Sequence, residues 1–208
     1  MNSIVTVTDA AQTQDLTRLE TVKLELGLTA NGEDDQIRVW IRQASSIIDG
    51  YLNRTLALES VSESFRPDHR LPSRPMPSLR LSRFPIDAIV SVTEDGVLLT
   101  TSDYEADADN AMLWRLSDGK QAYWATANIV VAYSAGYDLL DGLPHEIERA
   151  CISIVKMLRS HAHRDPFAKR VEIPDVRTVD YWVGQVGAVG SVPPEVTSIL
   201  DGYLDQRV

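Results

Sequence analysis

The chain has 208 residues, enough for one domain or one domain with an insert, and its 44% apolar content is that of a globular protein, not a disordered one. A formal charge of −10 argues against a high-affinity DNA binder, which presents a basic surface; it suits solubility in general, and equally a surface past which DNA slides without sticking. The single cysteine, Cys151, excludes an internal disulfide and any zinc site of several thiolates, no apolar run approaches the roughly 18 residues of a membrane span, and a polar N-terminus without a basic-then-apolar signal implies a cytoplasmic chain.

Residues 1–16, polar and small, are expected to be a flexible N-terminus. Thr17-Arg-Leu-Glu20 has the spacing of a capping box, and Leu19, Val22 and Leu26 then form a stripe that Gly27 stops, which predicts a short helix over 17–26. Gly32-Glu-Asp-Asp35 places carboxylates at a second helix start, where the helix dipole favours them. Ile37, Ile41, Ala44, Ile48, Tyr51 and Leu52 recur at helical spacing, with Trp40 and Ile47 widening the face, so a long helix runs over 33–53.

From about Ser60 the period changes. Prolines at 67, 72, 75, 77 and 85 forbid a helix there. Ile86, Ala88, Val90 and Val92 alternate with mostly polar neighbours, Glu94-Asp95-Gly96 supplies a turn and Val97-Leu98-Leu99 returns, which predicts a hairpin. Met112–Leu116 and Ile129–Ser134 read as further strands, so residues 60–136 form a small antiparallel sheet of about four to six strands. Gly136-Tyr137 reads as a hinge, and Leu143-Pro144 as the start of a helix over 144–161 with Ile147, Ala150, Cys151, Ile154 and Leu158 buried. Residues 170–183 are expected to pair as an extended segment, with Val179, Tyr181 and Trp182 its apolar content; Gly184, Gly187 and Gly190 then loosen the chain. A last helix opens at Pro193-Pro194-Glu195, with Val196, Ile199, Leu200, Tyr203 and Leu204 on one face.

These elements make an α+β chain: a helical bundle core from 17–59 and 137–169, a β insert at 60–136, and a tail over 170–208 ending in an amphipathic helix. Little in it resembles chemistry. His161, His163, Asp165 and Cys151 do not share a face as a metal cage requires. Ser134 lacks a Gly-x-Ser-x-Gly elbow, and the three tail glycines lack the Lys-Ser/Thr of a phosphate loop. No catalytic, cofactor or metal residues are therefore assigned, and no cofactor is expected. Two features bear on partners. Arg66, Arg70, Arg74, Arg80 and Arg83 form a basic patch that can meet an acidic face of a neighbouring subunit, meet phosphates, or pair locally. The short last helix needs a groove for Val196, Ile199, Leu200, Tyr203 and Leu204, supplied by its own core or by a partner.

The order of Thr17–Leu28, Asp34–Arg54, Phe84-Pro85-Ile86 leading into Val90–Gly96, Asp103-Tyr104, and Val131–Tyr137 through Leu143-Pro144 into Ile147–Leu158 resembles the head–tail connector (adaptor) proteins of tailed phages and gene transfer agents, in their longer form with a β insert. The resemblance implies a structural, non-enzymatic protein assembled in the host cytoplasm. It would sit in the virion neck as a ring, commonly of twelve copies, under the portal protein, extending the DNA channel and supporting the next connector or tail protein. Neighbouring copies would meet through heterologous contacts, and the last helix would dock on the portal or an adjacent subunit, so that deleting residues 192–208 abolishes portal binding and leaves the monomer folded. The alternative is a DNA-packaging or DNA-binding accessory protein.

Overall fold

The structure, a computed structural model, describes residues 2–66, 75–124, 128–162, 170–173, 177–180 and 192–204. It opens on a strand where a frayed tail was expected: β1 (Asn2–Asp9) pairs antiparallel with β2 (Glu59–Arg66), from Asn2 opposite Arg66 to Val7 opposite Val61. Small polar side chains alternating with Ile4, Val5 and Val7 gave no reason to fold locally. Pairing with a segment more than 50 residues away is what orders them.

The architecture is mixed α and β, in two units: residues 1–13 with 55–138, and residues 14–54 with 139–208. Among the described residues the first unit is β, apart from one 3₁₀ turn at Thr101–Asp103. β3 (Ser78–Arg80), β4 (Ile86–Glu94), β5 (Val97–Leu98), β6 (Tyr104–Asp107), β7 (Met112–Ser117), β8 (Lys120–Ala122) and β9 (Ile129–Ala135) follow β2 along the chain. They form two antiparallel sheets, not the single one expected. One is five-stranded in the order β1-β2-β9-β4-β5; the other runs β3-β7-β6, with β8 also on β7. One apolar cluster takes Val61, Phe65, Ile86, Val92, Ile129, Val131 and Tyr133 from the first sheet and Leu79 and Leu113 from the second, with Trp124 buried among them. The Trp124 indole donates to the carbonyl of Leu113 at 3.1 Å, so its burial leaves no orphaned donor.

The expected turn at Asp95-Gly96 is present, with φ of 48° and 81°, the left-handed pair that a two-residue hairpin loop requires. The alternation expected along β4 is not. Its pairing with β9 slips by one residue between Ile86 and Ala88 and again between Ile89 and Ser91. Each slip is a bulge that adds an outward residue, so the inward period becomes three: Ile86 and Val92 are buried, Ile89 packs against the core, and Ala88 and Val90 face water.

The second unit holds α1 (Leu19–Leu26), α2 (Asp34–Leu52), α3 (His145–Ala162) and α4 (Pro194–Leu200), with a two-stranded ribbon, β10 (Arg170–Ile173) and β11 (Arg177–Asp180). The four helices pack on one another. α2 buries Ile37, Trp40, Ile41, Ala44, Ile48 and Leu52, with Tyr51 only half-buried, and α3 buries Ile147, Ala150, Cys151 and Ile154 as expected from the spacing, together with Ile152 and Val155, whereas Leu158 is only half-buried. Gly27 caps α1 at φ 66°. The capping box at Thr17–Glu20 does not form: α1 starts at Leu19 with no side-chain cap, and the buried Thr17 hydroxyl donates instead to Glu148 of α3 at 3.1 Å. Charge pairs tie the same helices, Lys23 to Asp34 at 2.7 Å and Arg159 to Glu33 at 3.0 Å. Among the described residues no helix is long and apolar enough to cross a membrane.

Candidate functional site

The candidates from the sequence separate into buried and exposed groups. Cys151 is buried in α3, where burial pushes its thiol up to about 12, partly offset by the Ser45 hydroxyl 3.8 Å away. Among the described residues no three metal-ligating side chains gather; His163 and Asp165 lie outside them. The Ser134 hydroxyl donates to Asp87 at 2.7 Å on the surface of the five-stranded sheet.

The last helix has found a groove on its own chain. Val192, Val196 and Leu200 are buried, and α4 packs against α2 and α3. Tyr51 of α2 donates to Asp201, Tyr203 donates to Glu146 of α3, and Arg54 donates to the carbonyl of Tyr203 at 3.3 Å. Val196 and Leu200 are thus core residues, Ile199 and Tyr203 half-buried, and Leu204 exposed. Deleting 192–208 would strip apolar cover from α2 and α3, so that deletion is expected to destabilise the monomer. Leu200→Ala is expected to destabilise the protein by about 2 kcal/mol, the low end for a buried leucine because a short terminal helix can settle into the gap. Urea unfolding followed by Trp fluorescence measures it.

Of the five patch arginines, Arg70 and Arg74 lie outside the described residues. Arg66 is exposed at the end of β2, opposite Asn2, and Arg80 is exposed on β3. Arg83 is half-buried; its guanidinium reaches Thr55 at 3.5 Å and its backbone N–H donates to the Tyr133 hydroxyl at 3.2 Å.

That tyrosine belongs to a network the sequence reading passed over. Glu63 is fully buried on the core face of β2, between Val61 and Phe65. Its carboxylate accepts from the Ser82 N–H at 2.9 Å, the Ser82 hydroxyl at 2.6 Å and the Tyr133 hydroxyl at 2.8 Å. Three donors make a buried carboxylate tolerable and lock the segment after β3 onto the first sheet. Burial, with the Glu63 carboxylate beside it, pushes the Tyr133 hydroxyl well above the ordinary tyrosine range, so it stays a donor. A glutamate at the same strand parity as Val61 and Phe65 was the available signal.

The second unit also carries a cleft of about 290 Å³ lined by Thr17, Arg18, Leu140, Leu143, His145 and Glu148, among others. Its polar groups are engaged with one another: Arg18 donates to the Leu140 carbonyl at 2.6 Å, and Thr17 to Glu148.

The head completion protein family model matches residues 15–204. No curated protein matches the chain. Among solved structures, a chain in the neck of an empty gene transfer agent (GTA) particle, computed with C6 symmetry, is similar at 14% identity and a TM-score of 0.59, covering 99% of this chain and 97% of that one. A chain from the virion of a native GTA particle gives 13% identity and a TM-score of 0.58 over 99% and 97%. One from the neck of a native GTA particle, computed with C12 symmetry, gives 13% and 0.55 over the same shares.

Proposed function

The chain belongs to the head completion protein family, and from that premise we propose that it is a structural head–tail connector, or adaptor, of a tailed phage or phage-like particle. The observation that carries the reading is the family match over 15–204 on a chain whose whole length takes a fold similar to chains of GTA particles, two of them from the neck. In this reading copies assemble as a ring in the neck beneath the portal, extend the DNA channel and support the next connector or tail protein. The C6 and C12 symmetries of the similar neck structures support a ring. A charge of −10 supports a wall that repels DNA phosphates, so the genome passes without binding. The role is one of assembly, not catalysis.

With Val196 and Leu200 buried, the residues left to support the proposed portal contact are Ile199 and Leu204, on the outward side of the α4 segment. Leu204, 37% exposed, can be changed without opening the core. The experiment is electron microscopy of the protein mixed with its portal ring, in parallel with Leu204→Asp. The wild type is expected to add a collar of density on the tail-proximal side. Leu204→Asp is expected to weaken association at least tenfold with an unchanged melting temperature. A wild type that never associates with the portal ring overturns the connector reading, while an aspartate variant that binds normally removes only the α4 contact.

A further inference from the structure

The five-stranded sheet ends in two edges of unlike construction. On one side lies β1, eight residues long. From Asn2 to Thr8 it carries no ionisable side chain and no proline, and it runs in unbroken register with β2 as far as Val7. Ile4 is 55% exposed and Val7 42%. Edge strands that must stay solitary are blunted with lysine, proline or bulges; β1 has none of these along Asn2–Val7. The opposite edge is β5 with the middle of β4, between Ile86, whose N–H donates to the Ala108 carbonyl at 2.9 Å, and Val92, whose carbonyl accepts from the Leu99 N–H at 2.9 Å. It is short and bulged, yet Val90, Val97 and Leu98 are 72%, 66% and 65% exposed, a second open apolar edge on the same sheet.

We propose that these two edges are complementary halves of one copy-to-copy contact, in which β1 of one copy adds to the β4–β5 hairpin edge of the next. The proposal rests on the ring reading above and names the surfaces that build it. Two different edges of one sheet, each open, give a head-to-tail contact, the kind that generates rings when the rotation closes. Backbone N–H and C=O groups along β1 supply the hydrogen bonds, and Ile4 and Val7 meet Val97 and Leu98 across the junction. Charge favours the same match. Copies with a charge of −10 repel one another over most of their surface, but Asn2–Thr8 is uncharged. The exposed Arg66 flanks the start of β1, and the exposed Asp95 sits in the β4–β5 turn. The occupant is therefore a second copy of this chain presenting its other edge, not its own β1.

The test uses the full chain and two edge variants, Ile4→Lys/Val7→Lys and Val97→Lys/Leu98→Lys, followed by sedimentation velocity from micromolar to millimolar concentration. The four positions are exposed, so melting temperatures should match the wild type. The wild type is expected to form rings or their fragments, and each variant alone to stay monomeric. An equimolar mixture retains one intact β1 edge and one intact hairpin edge, and should give a heterodimer and nothing larger. The proposal is overturned if the mixture stays monomeric, if either variant assembles like the wild type, or if the hairpin variant dimerises alone, which would mean β1 pairs with β1. Rings formed by both variants sink the edge assignment and leave the connector reading standing; a wild type monomeric at every concentration counts against rings and edges together.

Discussion

Replacing Gly136 by alanine is expected to cost about 3 kcal/mol, a large fraction of the 5–15 kcal/mol that holds a domain of this kind together. Gly136 sits at φ 114°, where an L side chain is strained, and a Cβ built there would lie 2.4 Å from the Ala57 carbonyl oxygen and 2.9 Å from that of Leu56. Both obstacles are backbone, and the backbone cannot retreat. The Gly136 N–H donates to the Pro85 carbonyl at 2.9 Å, the Tyr137 N–H to Leu56 at 2.7 Å, and the Leu58 N–H back to Tyr137 at 2.9 Å. The segment that reads as a hinge from its glycine is a clamp. Gly50→Ala supplies the opposite sign: Gly50 lies exposed in α2 with open space at its Cβ position, and alanine should stabilise by about 0.5–1 kcal/mol through helix propensity. Paired urea melts decide the matter; a Gly136→Ala protein as stable as the wild type would show that the clamp is not rigid.

Glu63→Ala is expected to be as damaging, at about 3 kcal/mol, because it leaves the buried Tyr133 hydroxyl without its acceptor, frees the exposed Ser82 from the first sheet and opens a void. Glu63→Gln keeps one oxygen acceptor and should lose about half of that. Tyr133→Phe removes a donor to Glu63 and the acceptor of the Arg83 N–H, and should cost about 1–2 kcal/mol near neutral pH. It should also change the alkaline limb. The folded-state value of Tyr133 is raised, so its contribution is fully present below the unfolded tyrosine value, about 10, and is lost as pH rises past it. The wild type should therefore lose stability above about pH 10 more steeply than Tyr133→Phe, in guanidinium melts across that range. Equal slopes would show that the Tyr133–Glu63 contact does not persist in solution.

These two sites mark where sequence reading stopped. The stripes of α2 and α3 were legible because 3.6-residue periodicity is a local property, and a helix needs only its own residues to display it. Gly27, the Asp95-Gly96 turn and the strand at Ile129 were legible for the same reason: backbone conformation and side-chain parity are set within a few residues. The family resemblance drew on the order of such local pieces, and the match over residues 15–204 agrees with it.

What eluded the sequence was pairing at a distance. β1 reads as a frayed tail although Ile4, Val5, Thr6, Val7 and Thr8 are β-formers, because a lone strand has no ladder until its partner at 60–66 supplies one. Val90 looks like a core residue by parity, and two bulges against β9, invisible without the partner strand, turn it outward. Val196 and Leu200 have the pattern of a docking face. Whether a face meets its own chain or another depends on where α2 and α3 leave a groove, and Tyr51, Glu146 and Arg54 hold the segment there. The sequence by itself determined the local elements, the acidic charge and the absence of multi-thiolate chemistry. Only the tertiary structure decided which apolar faces are spent inside the chain and which, like Ile4 and Val7 on β1, stay exposed, because burial is a property of neighbours brought together from far along the chain.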